Sequence, residues 1–238
     1  MEKVFGKHSV RAVFLTRPKS VKRILLLHSQ KDNLEEFAQS AAKVNIAPEY
    51  LPWPKFLKEG ELTQEDKHQG VCIITQERTI YTEEDIDNLK DASKVILLDT
   101  VSNPQNLGLI LRAAAFFNID AVMVIKNRSA KLTPTVLRIT VGGAEFVKIF
   151  EITNLSRSIK RLKKIGFWIY GLDERGEKTL RETDFDKKTA LIVGAEGEGL
   201  RHLTVENCDF LVRIEGGRKG LESLNAAVAA SIGLYEIS

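Results

Sequence analysis

The sequence predicts an α/β protein of two domains. Short apolar runs of strand length alternate with stretches of helical periodicity, the alternation becomes cleaner after Lys94, and a polar stretch divides the two halves. The 238 residues, 43% hydrophobic and 28% charged, exceed one small domain and carry enough apolar material for real cores.

The first domain is expected over residues 1–75. Ile24-Leu25-Leu26-Leu27 reads as a buried strand. Residues 33–44 read as a helix because Leu34, Phe37, Ala38, Ala41 and Ala42 recur at helical spacing. Val71-Cys72-Ile73-Ile74 closes this unit as another strand. Residues 76–93 are polar and read as a linker with room for one short helix. The second domain, 94–238, carries the runs Val95-Ile96-Leu97-Leu98, Ala121-Val122-Met123-Val124-Ile125, Phe167-Trp168-Ile169-Tyr170, Ala190-Leu191-Ile192-Val193 and Phe210-Leu211-Val212. Helical patterns at 109–117 and 155–164 separate some of them, as in a parallel sheet covered by helices. No repeat or low-complexity tract is present in the sequence.

The net charge of +3 is concentrated at the start. Lys3, Lys7, Arg11, Arg17, Lys19, Lys22 and Arg23 face only Glu2 within the first thirty residues. Such a cluster suits either a solvated surface or a phosphate backbone, where each neutralised phosphate releases a counterion. Cys72 and Cys208 match no metal or redox spacing and read as free core thiols, which favours a reducing compartment. Met1-Glu2-Lys3-Val4-Phe5-Gly6 lacks the apolar run of a signal peptide, and no apolar stretch approaches the roughly 20 residues of a membrane span, so a cytoplasmic location is expected. His8, His28, His68 and His202 show no ligand spacing and no Ser stands in a nucleophile elbow, so no metal site is expected.

Three loops can carry chemistry. The first, Asp99-Thr100-Val101-Ser102-Asn103-Pro104-Gln105-Asn106-Leu107-Gly108, leaves a strand and runs into a helix holding Arg112, so Asn106 and Arg112 can face the crevice beyond the strand ends. The plainer alternative makes Asn103 or Asn106 a helix cap and leaves Arg112 on the surface. The second, Gly194-Ala195-Glu196-Gly197-Glu198-Gly199, lets a ligand approach the backbone and offers Glu196 as an acceptor, or is simply a glycine-rich turn. It lacks the Gly-x-Gly-x-x-Gly order of a dinucleotide site, which argues against a nucleotide-dependent oxidoreductase. The third, Ile214-Glu215-Gly216-Gly217-Arg218-Lys219-Gly220-Leu221-Glu222-Ser223-Leu224-Asn225, opens a final helix over 226–237, with Ser223 a good N-cap. That helix is small-residued all round and is expected to pack on several sides.

The ordered set Asn106-x-Gly108-x-x-x-Arg112, Gly194-x-Glu196-x-x-Gly199 and Ser223-Leu224-Asn225 resembles the three motifs of the SpoU family, within the SPOUT class of RNA 2′-O-ribose methyltransferases. The flanking Val4-Phe5-Gly6-Lys7-His8-Ser9-Val10 and His68-Gln69-Gly70 resemble the bounds of the family's L30e-like RNA-binding domain, in the branch that methylates guanosine of 23S ribosomal RNA. The resemblance implies a C-terminal α/β domain closed by a trefoil knot, a homodimer packed through that domain, S-adenosylmethionine as cofactor and structured RNA as partner. It places Asn106, Arg112, Glu196, Ser223 and Asn225 at catalytic positions. Gly194, Ile214, Leu224 and Glu196 fall at cofactor-binding ones. The chain departs from the family pattern at Asn103, where an aspartate is usual, and at Ile214-Glu215-Gly216, where Ile-Pro-Met is common and one residue fewer precedes the serine.

An alcohol is about as weak an acid as water, so the 2′-oxygen must shed its proton as it attacks. A guanidinium rarely takes one up, so Arg112 is expected to clamp the neighbouring phosphate and the nascent alkoxide, oriented by Asn106, Ser223 and Asn225, with a true base role left open. Transfer RNA is the alternative substrate, and a non-catalytic RNA-binding protein of the same fold the alternative class.

Overall fold

Residues 1–79 fold around four strands, β1 (Glu2–Phe5), β2 (Val21–Leu27), β3 (Glu49–Leu51) and β4 (Val71–Thr75), in the spatial order β1-β4-β2-β3. β4 runs antiparallel to both neighbours, while β2 and β3 are parallel. The two-residue period of β2 sends Ile24 and Leu26 to one face and Leu25 and Leu27 to the other, so both faces need cover. Helices α1 (Lys7–Thr16) and α2 (Glu35–Ala42) supply Val10, Val13, Phe37 and Ala41 to the first face. Phe56 of α3 (Trp53–Gly60) fills the second, beside Cys72. The helix expected at 33–44 is shorter. A 3₁₀ helix, His28–Leu34, precedes it, and Asn45 in the left-handed region ends it.

The computed structural model describes residues 1–216 and 223–238, in two units, Met1–Thr79 and Ile80–Ser238. The division falls inside the segment read as a linker, and most of that segment belongs to the second unit. Ile86 and Leu89, on a 3₁₀ helix Glu83–Leu89, are fully buried in its core, and Tyr81 exchanges backbone hydrogen bonds with Ile149 and Glu151. Polarity misled here because Glu83 is itself buried. Its carboxylate accepts from the Thr153 and Asn154 amides, at 3.1 and 2.6 Å, and pairs with Arg157. Burial opposes its charge, but the Asn154 amide, Arg157 and Thr153 outweigh burial and hold its carboxyl below the usual range.

The second unit is a seven-stranded sheet between helices. Its elements are β5 (Lys94–Leu98), α4 (Pro104–Phe116), β6 (Ala121–Ile125), α5 (Pro134–Ile139), β7 (Lys148–Ile152), α6 (Leu155–Lys164), β8 (Trp168–Leu172), β9 (Lys178–Thr179), β10 (Thr189–Val193), α7 (His202–Asn207), β11 (Phe210–Arg213) and α8 (Ala226–Ile237). The spatial order is β7-β6-β5-β10-β8-β11-β9, and every pairing is parallel. One face packs Ile96, Leu98, Leu191 and Val193 against α4, α5 and α8, and the other packs Val95, Leu97 and Ile192 against α6 and the Glu83–Leu89 turn. α6 shows why these helices form: Asn154 caps it by accepting from the Arg157 amide, and Leu155, Ser158, Ile159 and Leu162 bury one stripe.

Strand order sets the position of the site. From β5 the chain moves outward through β6 to β7, whereas β10 is laid on the other side of β5, between β5 and β8. The crevice at the carboxyl ends of β5 and β10 is therefore a topological switch point, where open α/β sheets bind ligands.

Candidate active site

Asp99 follows β5, and Asn103 caps α4 by accepting from the Gln105 amide at 2.8 Å, with Pro104 next. The helix expected at 109–117 thus begins earlier, and Asn106 lies in its first turn, 4% exposed, rather than in a loop. The second loop leaves β10 and folds back on itself. Gly199 donates its amide to the Ala195 carbonyl at 3.1 Å, and a Cβ on Gly194 would stand 2.1 Å from the Gly199 carbonyl oxygen. Gly197 and Gly199 take left-handed φ of 83° and 65°. In the third loop Asn225, not Ser223, caps α8. Its Oδ1 accepts from the amides of Ala227 and Val228 at 2.9 and 3.3 Å.

That capping bond fixes the orientation of the Asn225 amide, because Oδ1 must face the helix and Nδ2 must face away. Nδ2 donates to Asn106 Oδ1 at 3.0 Å and approaches Glu196 Oε2 at 3.4 Å, while Asn106 Nδ2 donates to the same Oε2 at 3.3 Å. Three segments of the chain separated by 90 and 29 residues thereby meet at one carboxylate. Glu196 is exposed, so it can still accept a hydrogen from a hydroxyl or amine.

Other expected residues stand apart from this cluster. Arg112 is exposed and makes no hydrogen bond or ion pair with a described residue. Six residues along α4 from Asn106, it is rotated by about 240° and points elsewhere. Ser223 and Leu224 are exposed, Ile214 is half-buried against the α4–α8 core, and residues 217–222 of the third motif lie outside the described residues.

A second set of residues went unnoticed in the sequence. Asp99, fully buried, accepts from Arg201 Nε at 2.6 Å, from the Arg201 amide at 3.2 Å and from Thr204 Oγ1 at 2.6 Å. Asp173, at the exit of β8, accepts from Arg175 Nε at 2.6 Å and lies against the glycine loop, its Oδ2 3.6 Å from where a Cβ on Gly199 would stand. Arg175 holds its carboxyl below the usual range against the opposing effect of burial. The end of the glycine loop is thus held by the buried Asp99 and lies against Asp173, at the exits of the two strands flanking β10. The signal available in the sequence was an aspartate directly after a buried strand, twice.

Residues 93–235 match the family model described as SpoU rRNA Methylase family. The chain belongs to the SpoU rRNA methylase family. Among relatives of this SpoU chain, a Pseudomonas aeruginosa protein named 23S rRNA (guanosine-2′-O-)-methyltransferase RlmB is 34% identical, covering 99% of this chain and 95% of its own. A putative TrmH family tRNA/rRNA methyltransferase of Staphylococcus aureus is 31% identical over 98% and 94% of the two chains. The crystal structure of the SpoU methyltransferase AviRb from Streptomyces viridochromogenes with AdoMet has a TM-score of 0.75 at 23% identity, covering 99% of this chain and 88% of that one. The AdoMet-bound rRNA methyltransferase from Sinorhizobium meliloti also gives 0.75, at 22% identity with 99% and 85% coverage.

Proposed function

We propose that this SpoU protein transfers a methyl group from S-adenosylmethionine to the ribose 2′-hydroxyl of a guanosine in 23S ribosomal RNA, in the cytoplasm. The observation that carries the reading is the meeting of Asn106, Glu196 and Asn225 at the switch point. The same crevice suits the cofactor. The Gly194–Gly199 contact leaves no room for a side chain, so the loop offers backbone. Ile214 and Leu224 add apolar surface, and Glu196 adds a hydroxyl or amine acceptor. When bound, S-adenosylmethionine supplies an electrophilic methyl on a positively charged sulfur.

The chain's own groups have distinct tasks. Asn106 and Asn225 hold Glu196 by two amide donors, and Asn225 cannot turn without uncapping α8. Ser223 is free to orient the ribose. Arg112 clamps the adjacent phosphate and the developing alkoxide through its planar fork.

Arg112 cannot serve the cluster of its own chain in this geometry, which supports a homodimer. Leu109 and Phe116, 39% and 79% exposed, share its stripe of α4, and Val228 and Tyr235, 48% and 65% exposed, extend the apolar face onto α8. A second copy seated there would cover the patch and receive Arg112. The reading includes a trefoil knot in the second unit, supported by the late insertion of β10 between earlier strands, and an L30e-like RNA-binding role for the first unit. The Staphylococcus relative's name favours transfer RNA as the second substrate reading.

The test is tritiated methyl transfer to unmodified 23S ribosomal RNA and to transfer RNA, with mapping of the modified nucleotide. Label in 2′-O-methylguanosine of the 23S transcript, abolished by Arg112→Ala and strongly reduced by Arg112→Lys, is expected. Label on a base, or in transfer RNA alone, overturns the reading, and full turnover by Arg112→Lys overturns the clamp.

A further inference from the structure

The basic N-terminal cluster is largely neutralised in the fold. Lys3 pairs with Glu61 at 2.5 Å, Arg11 with Glu36 at 2.8 Å, Arg17 with Glu2 at 2.9 Å and Arg23 with Glu49 at 2.7 Å. Arg23 also reaches Glu59. Most of these acids lie beyond the first thirty residues, so the local charge count could not see them. Among that cluster Lys7, Lys19 and Lys22 keep no carboxylate partner among the described residues, and Lys7 donates instead to the Asn33 carbonyl.

The second unit holds the opposite case. Residues 121–137 contain Lys126, Arg128 and Lys131 and no Asp or Glu. Lys126, Arg128 and Lys131 are exposed in the loop after β6, and their side chains form no ion pair or hydrogen bond with a described residue. β6 is the parallel neighbour of β5, so this loop leaves the sheet at the same edge as the first motif. It is also tied to that motif, since the Ala130 amide donates to the Val101 carbonyl at 2.9 Å. The segment that follows lies along α4: a Cβ on Gly108 would stand 2.6 Å from Ile139, and one on Gly143 would stand 3.1 Å from the Arg112 Cα. Three unpaired cations are therefore anchored beside the helix that carries Asn106 and Arg112.

We infer that Lys126, Arg128 and Lys131 form a phosphate-binding track that receives the RNA backbone next to the crevice. The inference rests on the methyltransferase reading for its choice of RNA as partner. Unpaired surface cations attract a polyanion and release its counterions on contact, whereas cations already paired with carboxylates contribute little of either. A track in the second unit would bring phosphates to the reacting site instead of leaving all RNA contact to the first unit.

Filter binding of unmodified 23S ribosomal RNA over 50–300 mM KCl tests it. The triple variant Lys126→Ala/Arg128→Ala/Lys131→Ala is expected to bind at least tenfold more weakly at low salt. The slope of log affinity against log salt should become shallower by about 2, since each phosphate contact contributes roughly 0.7–0.9. S-adenosylmethionine affinity and the melting temperature should stay as in the wild type. The charge-preserving Lys126→Arg/Arg128→Lys/Lys131→Arg should keep the wild-type slope. An unchanged slope and affinity in the alanine variant, or a slope lost only with Lys19→Ala/Lys22→Ala, overturns the track. Because the readout is binding, a protein that binds through the loop yet methylates nothing would refute the methyltransferase reading and leave the track standing.

Discussion

Replacing Asp99 by Asn removes one charge from the end of β5 and should loosen a loop that Asp99 precedes by about a hundred residues. The carboxylate is fully buried and accepts from Arg201 Nε, the Arg201 amide and Thr204 Oγ1 at 2.6, 3.2 and 2.6 Å. Asparagine keeps one acceptor and turns an NH₂ group toward donors, so at least one of these bonds is lost and the guanidinium loses its counter-charge. Removing one partner of a buried pair costs about 3–5 kcal/mol. Arg201 retains 37% of its side chain exposure, so water recovers part of this, and about 2–3 kcal/mol remains. At roughly 2–4 °C per kcal/mol for a unit of this size, the second unit should melt about 5–10 °C lower.

The local consequence is sharper than the global one. The Arg201 amide donates directly to Asp99, so hydrogen exchange over 194–204 should accelerate in Asp99→Asn while β6 and β7 keep their protection. S-adenosylmethionine affinity should fall about tenfold, the equivalent of about 1.4 kcal/mol spent re-ordering the loop. A variant that melts with the wild type and exchanges these amides no faster would refute the claim that the buried Asp99 carboxylate holds the loop.

Asn225→Asp separates the two tasks of that residue: an aspartate still caps α8 but cannot donate to Asn106 and repels Glu196, so the melting temperature should hold within a few degrees while methyl transfer falls at least tenfold, as measured by thermal scan and turnover. Burial pushes the Cys72 and Cys208 thiols up to about 12, so a disulfide reagent at neutral pH should titrate neither in the native protein and both in guanidinium chloride. Glu83 and Asp173 have folded values below their unfolded ones, so their stabilisation is complete above about pH 5 and is lost as the pH falls through the depressed values. The melting temperature should therefore be level from pH 8 to about pH 5 and drop below about pH 4, less steeply in Glu83→Gln. A Glu83→Gln protein as stable as the wild type at pH 7 would contradict the role given to that carboxylate.

The sequence was most legible where burial is continuous. β2, β5, β6 and β10 read directly from unbroken apolar runs, α6 from its helical period and α8 from its small-residue stretch, although the cap expected at Ser223 is Asn225. β7 was missed because Lys148 and Glu151 interrupt its apolar residues near the sheet edge, where Tyr81 alone pairs along its outer side among the described residues. The start of α4 was placed late because its first turn, Pro104-Gln105-Asn106, is polar, although the Asn-Pro pair is a good helix opening. Residues 80–93 looked like a linker because a buried glutamate with satisfied bonds is indistinguishable by composition from an exposed one.

At the site, the legible residues and the hidden ones differ in what their chemistry requires. Asn106, Glu196 and Asn225 stand beside glycines and helix starts, which mark a backbone bent for a reason other than packing. Asp99 and Asp173 carry no such mark, since Asp99 takes its meaning from a backbone amide about a hundred residues away and Asp173 from the glycine loop folded against it. Yet their position follows from the sheet. Once β10 lies between β5 and β8, any loop leaving it must pass between the residues that end those two strands, and donors at the loop's end are satisfied most cheaply by carboxylates there. The exposed carboxylate of Glu196 can stay available for a ligand because the loop's end is held by the buried Asp99.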